Sequence, residues 1–369
     1  MTGRIDRRNA LLVRDVSIFA GIGVLLIVLL EIVLRLFIPQ TVRYTSINGL
    51  TLGKPDSLIG HVNMPTAHVT VEGPEYAVEY RVSEEGLRDE SQHAIPKPTG
   101  LARILLLGDS FTFGDGGNYS DIWPVVFEGM LRREGYDIDV VKAGVNGYDT
   151  SAEVLYLERL LPEYDPDFVV LAFLPNDLFT NDPVSGESPM GTIPGRRPVD
   201  VEAMAGASQG IDLHCVRLAK RLVIRNDRLY AGLYLITARK EFFTVPWSNE
   251  LAMRIDVTKD LLKRAHAFCM VHGVEFIVLS IPQQFQVLVA ANGYELDGID
   301  VFFVDELFSR FAAEQGFDWI TTMPDLIETY RSESTDLYYR FDGHLNPAGN
   351  RCVGESFFRQ FRRLFDDRL

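Results

Sequence analysis

Four short stretches of the 369-residue chain carry residue types that together could attack an acyl group. The first is Gly108-Asp109-Ser110 within "RILLLGDSFTFGDG", and the second is "AGVNGYDT", which contains Gly144. The third is Asn176-Asp177, and the fourth is "FDGHLNPAG", which holds Asp342 and His344. A serine hydroxyl is a poor nucleophile until an imidazole takes its proton, and the imidazole needs a carboxylate or carbonyl to hold its tautomer and stabilise its charged form. The oxygen that becomes negative during acyl transfer also needs donors. The backbone N–H of Ser110, the backbone N–H of Gly144 and the side-chain amide of Asn176 can supply them, and loss of one such donor typically costs about 3 kcal/mol in the barrier. Gly144 suits the task because a residue without Cβ lets substrate approach the main chain. Taken singly, each residue has a plain structural role. Ser110 can cap a helix and Asp109 can hold a turn; Gly144 and Asn176 fit turns; Asn346-Pro347 opens a helix. Their conjunction, in order and on four loops, is what points to chemistry.

Those loops belong to a regular alternation. "RILLLG" reads as a buried strand, followed by a helix from about Asp121 to Glu134; "IDVVKAG" is followed by a helix from about Ser151 to Leu161. "DFVVLAFL" then leads into a long insertion, residues 178–249, after which a helix near Val257 to Val271 precedes "VEFIVLSI". A helix near Val304 to Gln315, the strand "FDWITT" and a last helix from Pro347 complete the pattern. Strand–helix repetition of this kind predicts a three-layer α/β/α domain over residues 102–369 with about five parallel strands. Chemistry in such folds sits just past the strands' carboxyl ends, where all four motifs fall. The G-x-S-x-G elbow of α/β-hydrolases is not the match, because position 112 is Thr.

The four blocks in this order resemble the SGNH (GDSL-like) hydrolases, with the likeness running over roughly residues 102 to 365 and the insertion poorly matched. That resemblance implies a flavodoxin-like fold, Ser110 as nucleophile, Gly144 and Asn176 as oxyanion-hole donors beside the Ser110 N–H, His344 as base and Asp342 as its orienting acid, with Asp109 and Asp177 in support. Two blocks depart from the family pattern. The third is Leu174-Pro175-Asn176-Asp177 where Gly-x-Asn-Asp is usual, and Asp342 stands two residues before His344 where three is usual. The closer spacing looks like the Asp-x-His of the alginate-acetyltransferase-like branch, although there the pair precedes the serine.

The chain ahead of this domain has a different character. Residues 1–15 carry Arg4, Arg7, Arg8 and Arg14, and Val16 to Ile38 is an apolar run with the length of a membrane-spanning helix. Basic residues on the amino side predict a cytoplasmic amino end and an exported remainder, on the periplasmic side of a bacterial inner membrane. A cleaved signal peptide is the rival, but the bulky "RLFIPQTVRY" offers no small-x-small site. Glu31 and Arg35, at i and i+4, are expected to pair on one helix face. Residues 39–101 read as a membrane-proximal segment: a β-hairpin of "AHVTV" and "YAVEYRV", with Tyr76, Val78, Tyr80 and Val82 on one face, then a Pro-containing linker.

The formal net charge of −15 excludes a nucleic-acid surface. Cys215, Cys269 and Cys352 give no disulfide framework, and His266, Cys269 and His272 spread around a helix, so no metal or other cofactor is expected. The insertion opens with a loop, "NDPVSGESPMGTIPGRRP", and continues as helical sequence. Its Arg217, Lys220, Arg221, Arg225 and Arg228 read as a solvated face, or else as a surface for anionic glycan or lipid headgroups. The resulting expectation is a membrane-tethered esterase acting on O-acyl groups of a glycan or other ester, with a rate that rises with pH through about 6.5 as the histidine loses its proton. An O-acyltransferase with a multi-pass partner and a non-catalytic glycan-binding scaffold are the alternatives.

Overall fold

The computed structural model describes residues 2–38, 45–46, 51–181 and 213–366. Helix α1 (Thr2–Phe37) comes first. Short antiparallel strands follow: β1 (Thr45–Ser46), β2 (Gly53–Asp56), β3 (Gly60–Asn63), β4 (His68–Glu72) and β5 (Ala77–Arg81). The hairpin expected from alternation is β4–β5, paired from His68↔Arg81 to Glu72↔Ala77, with Val78, Tyr80 and Val82 buried along one face. β1 adds a third strand to it, and β2–β3 form a second hairpin that the sequence pattern did not single out.

The main domain then alternates as expected: β6 (Ala102–Gly108), α2 (Ser110–Phe113), α3 (Trp123–Arg133), β7 (Ile138–Gly144), α4 (Thr150–Tyr164), β8 (Phe168–Phe173) and α5 (Asp177–Thr180). Beyond the insertion loop come α6 (His214–Ile224), α7 (Asp227–Leu235), α8 (Asn249–Val271), β9 (Glu275–Ser280) and α9 (Gln284–Asn292). The chain closes with α10 (Phe303–Gln315), β10 (Asp318–Thr321), α11 (Met323–Glu333) and α12 (Pro347–Asp366). Five strands form one parallel sheet in the order β10-β9-β8-β6-β7. Helices α3 and α12 pack together on one face, and α4, α8 and α10 cover the other. Both faces are therefore covered, which is why Ile104 to Leu107 form an unbroken apolar run with no solvent exposure. Each such side chain contributes about 2 kcal/mol through burial.

From β6 the chain moves to one side for β7 and then returns to the other for β8, so β6 stands where the strand order reverses. Crevices open at the carboxyl ends of strands at such a switch point. Ser110 follows β6 directly.

Residues 83–101, read from sequence as a linker, carry deeply buried side chains. Arg88 lies 2% exposed, its guanidinium against the adjoining rings of Tyr80 and Phe113 at 4.7 and 4.9 Å. It donates to the carbonyls of Phe113 (2.6 Å), Gly114 (2.7 Å) and Gly117 (2.6 Å), all in the turn that follows Ser110. Asp89 meets the buried ammonium of Lys142 at 3.0 Å, and His93 bridges Asp89 (3.1 Å) and Asp139 (2.7 Å) on β7. The strap is thus pinned to the sheet by charge and to the Ser110 turn by hydrogen bonds. Of the insertion, residues 182–212, which hold nearly all of its Gly-Pro-Ser-rich loop, lie outside the described residues. Cys215, Cys269 and Cys352 are free thiols, and His266 packs against Phe276 and Phe317.

Replacing Arg88 by Met removes three charge-assisted bonds and leaves buried carbonyls unpaired. The expected result is a loss of about 3 kcal/mol or more in urea unfolding of the detergent-solubilised chain, with no change in helix content before the transition. An unchanged midpoint contradicts the bracing role.

Candidate functional site

The turn carrying Ser110 is built by its neighbours. Asp109 caps α2, its Oδ1 accepting the Phe111 N–H at 2.8 Å, and Phe113 N–H returns to the Asp109 carbonyl at 2.8 Å. Gly108 and Gly144, paired across β6 and β7, allow this turn to sit directly on the sheet. A Cβ on Gly144 would run into the backbone of Thr112 and Phe113, and one on Gly108 into the Thr112 side chain.

His344 comes from a tight loop between α11 and α12. Tyr339 N–H donates to the His344 carbonyl at 2.8 Å and Gly343 N–H to the Tyr339 carbonyl at 2.7 Å, with Gly343 at φ 91°. Tyr338 OH fixes the loop to the Pro282 carbonyl at 2.6 Å, and Asn346 caps α12 through the N–H groups of Ala348 (2.9 Å) and Gly349 (3.0 Å). On this loop Asp342 Oδ2 lies 2.6 Å from His344 Nδ1, and His344 Nε2 lies 2.8 Å from Ser110 Oγ. A carboxylate can only accept, so Nδ1–H donates to Asp342; in the neutral ring Nε2 is then left to accept the Ser110 hydroxyl.

Burial works to lower the pKa of this imidazole. The hydrogen bond to Asp342 and the negative charges of Asp115, Asp342 and Asp109 outweigh it and raise the value to about 9, well above the 6.5 of an ordinary histidine. Below the serine lies a layer of buried acids. Burial pushes Asp109 up to about 6, against the pull of the Phe111 N–H and the His344 charge. Glu153 and Asp177 are raised further, first by burial and then by each other's neighbourhood of carboxylates. Both Glu153 oxygens and Asp177 Oδ1 have no hydrogen-bond partner among the described residues. Thr150 Oγ1 donates to the other Asp177 oxygen at 3.1 Å.

A cavity of about 210 Å³ opens over Ser110 and His344, and Asp109, Asn176 and Asp342 also line it. Asn176 Oδ1 accepts the Gln283 Nε2–H at 3.0 Å, and Gln283 Oε1 accepts the Tyr234 hydroxyl at 2.9 Å. That chain commits the Asn176 carbonyl and leaves its amide hydrogens for the cavity. Gly144 is not brought there. It lies at the buried end of β7 beneath the Ser110 turn, and its missing Cβ makes room for α2 rather than for a ligand. Asp177 is likewise under the site and absent from its wall.

Three contributors escaped the sequence reading. Glu75, at the tip of the β4–β5 hairpin, accepts the backbone N–H groups of Phe341 (3.0 Å) and Asp342 (2.9 Å). Tyr76 OH reaches Asp342 Oδ2 at 3.5 Å, and its ring packs on Tyr339 with centroids 4.8 Å apart. Gln283 orients Asn176. Its place just past the carboxyl end of β9 is the signal that could have found it, since that is where a site residue belongs; Glu75 and Tyr76 carry no such signal.

Comparison with known proteins adds the following. Residues 106–223 match the model of the GDSL-like Lipase/Acylhydrolase family, a stretch that includes Ser110, Gly144 and Asn176 and ends before Asp342 and His344. An "Arylesterase" of Vibrio mimicus is 29% identical over 75 residues, 20% of this chain and 38% of that one. "Esterase TesA" of Pseudomonas aeruginosa is 34% identical over 74 residues, 20% of this chain and 37% of that one. The chain thus spans less than two-fifths of the length of these curated relatives. Among solved structures, TesA aligns with a TM-score of 0.40 at 16% identity, covering 71% of this chain and 99% of that one. The esterase EstA from Pseudoalteromonas sp. aligns with a TM-score of 0.42 at 12% identity, covering 72% and 98%.

In a ¹⁵N-histidine titration the His344 ring nitrogens are expected to change at about pH 9. Asp342→Asn should bring that midpoint down toward about 6.5, because it removes the carboxylate that favours the charged ring. A wild-type midpoint near the ordinary value contradicts the electrostatic picture.

Proposed function

We propose that this chain, whose residues 106–223 match the GDSL-like Lipase/Acylhydrolase family model, is a membrane-tethered serine ester hydrolase that removes O-acyl groups, acetyl foremost, from a glycan. One observation carries the reading: an unbroken hydrogen-bonded row from Ser110 Oγ through His344 to Asp342, at 2.8 and 2.6 Å, on the wall of a cavity.

In this reading His344 Nε2 takes the Ser110 proton as Oγ attacks the ester carbonyl, and Asp342 stabilises the imidazolium that forms. Negative charge gathers on the carbonyl oxygen, where the Ser110 N–H and the Asn176 amide are the donors. His344 then gives its proton to the departing alcohol. Water attacks the acyl-serine with His344 again as base, and the acid is released. The tetrahedral stage therefore depends on Asn176 being turned the right way, which Gln283 secures.

A small cavity favours a short acyl group. Its other walls mix aromatic Tyr230 and Tyr234 with polar Gln283, Gln284 and the cation Arg239, a lining suited to a hydroxyl-rich alcohol such as a sugar. Tethering is supported by the 24-residue apolar stretch Arg14–Phe37, about 36 Å of helix against a hydrocarbon core of about 30 Å. The arginines ahead of it support export of the domain that follows.

Steady-state hydrolysis of 4-nitrophenyl acetate and acetylated sugars tests this. Ser110→Ala should lower kcat by about a thousandfold or more, whereas an unchanged rate refutes the assignment. Because only neutral His344 can accept a proton, kcat/KM should rise with pH and level off above about 9. Glu75→Ala should lower kcat about tenfold at unchanged KM, and Glu75→Gln should keep most of the rate because its carbonyl oxygen still accepts the two loop N–H groups. Acetyl found on an added acceptor sugar instead of free acetate would identify transfer in place of hydrolysis.

A further inference from the structure

Helix α7 has two apolar faces. Ala231 and Tyr234 are buried on one, where Tyr230 and Tyr234 also line the cavity. On the other, Leu229, Leu233 and Ile236 recur at i, i+4 and i+7 and form a single stripe, 53%, 38% and 81% exposed. A helix resting on a core needs only the first of these. The preceding helix α6 adds Val216 and Leu222, 59% and 61% exposed. The cations of this stretch do not share that face: Lys220 lies over the Phe341 ring at 4.8 Å, and Arg221 and Arg225 line a cavity with Glu75 and Phe341.

What stands beside this unit is α1. The Glu31 carboxylate accepts the first backbone N–H groups of α6, from His214 at 3.0 Å and Cys215 at 2.9 Å, and pairs with Arg35 at 2.7 Å. Leu34 is buried on the same side of α1. The pairing of Glu31 with Arg35 was expected from their spacing; the docking of α6 on Glu31 was not. Glu31 lies six residues before Phe37, the last residue of α1, or about 9 Å of helix rise. With the carboxyl end of α1 at the outer interface, α6 starts at the depth where interfacial helices bury their apolar faces, about 5–10 Å below the headgroups.

We infer that α6 and α7 form a second membrane contact, with Leu229, Leu233 and Ile236 in the outer leaflet of the bilayer that α1 spans. The inference rests on reading α1 as a span. A free anion leaves the apolar stripe without purpose. Lipid answers the stripe, and the junction with α1 puts it within reach. The opposite face of α7 lines the cavity, so this seating holds the site within about one helix diameter, 10–12 Å, of the membrane surface. The ester is therefore presented at that surface.

Full-length Leu233→Trp and Ile236→Trp chains in vesicles of three parts phosphatidylcholine to one part phosphatidylglycerol test this, with Val271→Trp at the opposite end of the sheet as control. Acyl-chain-brominated lipid should quench the added emission at 233 and 236 by about twofold and leave that at 271 unaffected. If 233 and 236 are quenched no more than 271 while the chain survives an alkaline carbonate wash, the second contact is refuted and the anchor stands. Emission at 233 that depends on protein concentration and not on bromine would show a second copy there and refutes it too. If the wash strips the chain from the vesicles, the anchor itself falls and this contact with it; hydrolysis in detergent is independent of each result.

Discussion

The hydrogen bond of 2.6 Å between Asp342 and His344 is the interaction on which the site turns. It fixes which ring nitrogen faces Ser110 and sets the proton affinity of the ring. A carboxylate only two residues from its histidine, on the loop between α11 and α12, would be free to swing if nothing held it. Glu75 holds it by taking the N–H groups at 341 and 342, and Tyr76 closes from the side. The other partner is braced in parallel, because Arg88 gathers three carbonyls of the turn behind Ser110 and Tyr80 OH takes the Gly116 N–H at 2.8 Å. Both braces come from residues 75–88, outside the stretch that matches the family. The segment ahead of the main domain is thus a structural part of the site.

The sheet supplies the remaining constraint. Ser110 and His344 stand 234 positions apart in sequence, and their approach to 2.8 Å depends on β6 lying inside the sheet, between β8 and β7, and on the last loop folding back over its carboxyl end. Placing a nucleophile at the reversal of strand order gives it a crevice without any special loop. Glu153 and Asp177 beneath it are buried where charge is costly, which raises their pKa and disfavours negative charge under the serine.

Much of this is legible in the residues. The strands Ala102–Gly108 and Phe168–Phe173 are visible because a strand buried on both faces must be apolar throughout. Ser110 and Asn176 are visible because they are reactive types just past strand ends, and Asp342 and His344 because they stand together just before the last helix. Helix Gln284–Asn292 escapes the period test, since "QFQVLVAAN" is apolar on nearly every side and buried accordingly. The expected start of α8 near Val257 falls eight residues late, because its cap, Ser248, accepts the Leu251 N–H well inside the insertion. Gly144 misleads for a plain reason: a glycine at a strand end can serve a ligand or a neighbouring backbone, and only coordinates separate the two. Glu75 and Arg88 bind main-chain groups far along the chain, an interaction with no local pattern to read.

The central claim is that the Ser110 hydroxyl is an activated nucleophile. Intact-mass analysis of the full-length chain in detergent after treatment with a fluorophosphonate, followed by peptide mapping, reads this directly. A single adduct on Ser110 that forms in the wild-type chain and is lost in His344→Ala is the predicted result. An unmodified chain, or an adduct on any other serine, would contradict it.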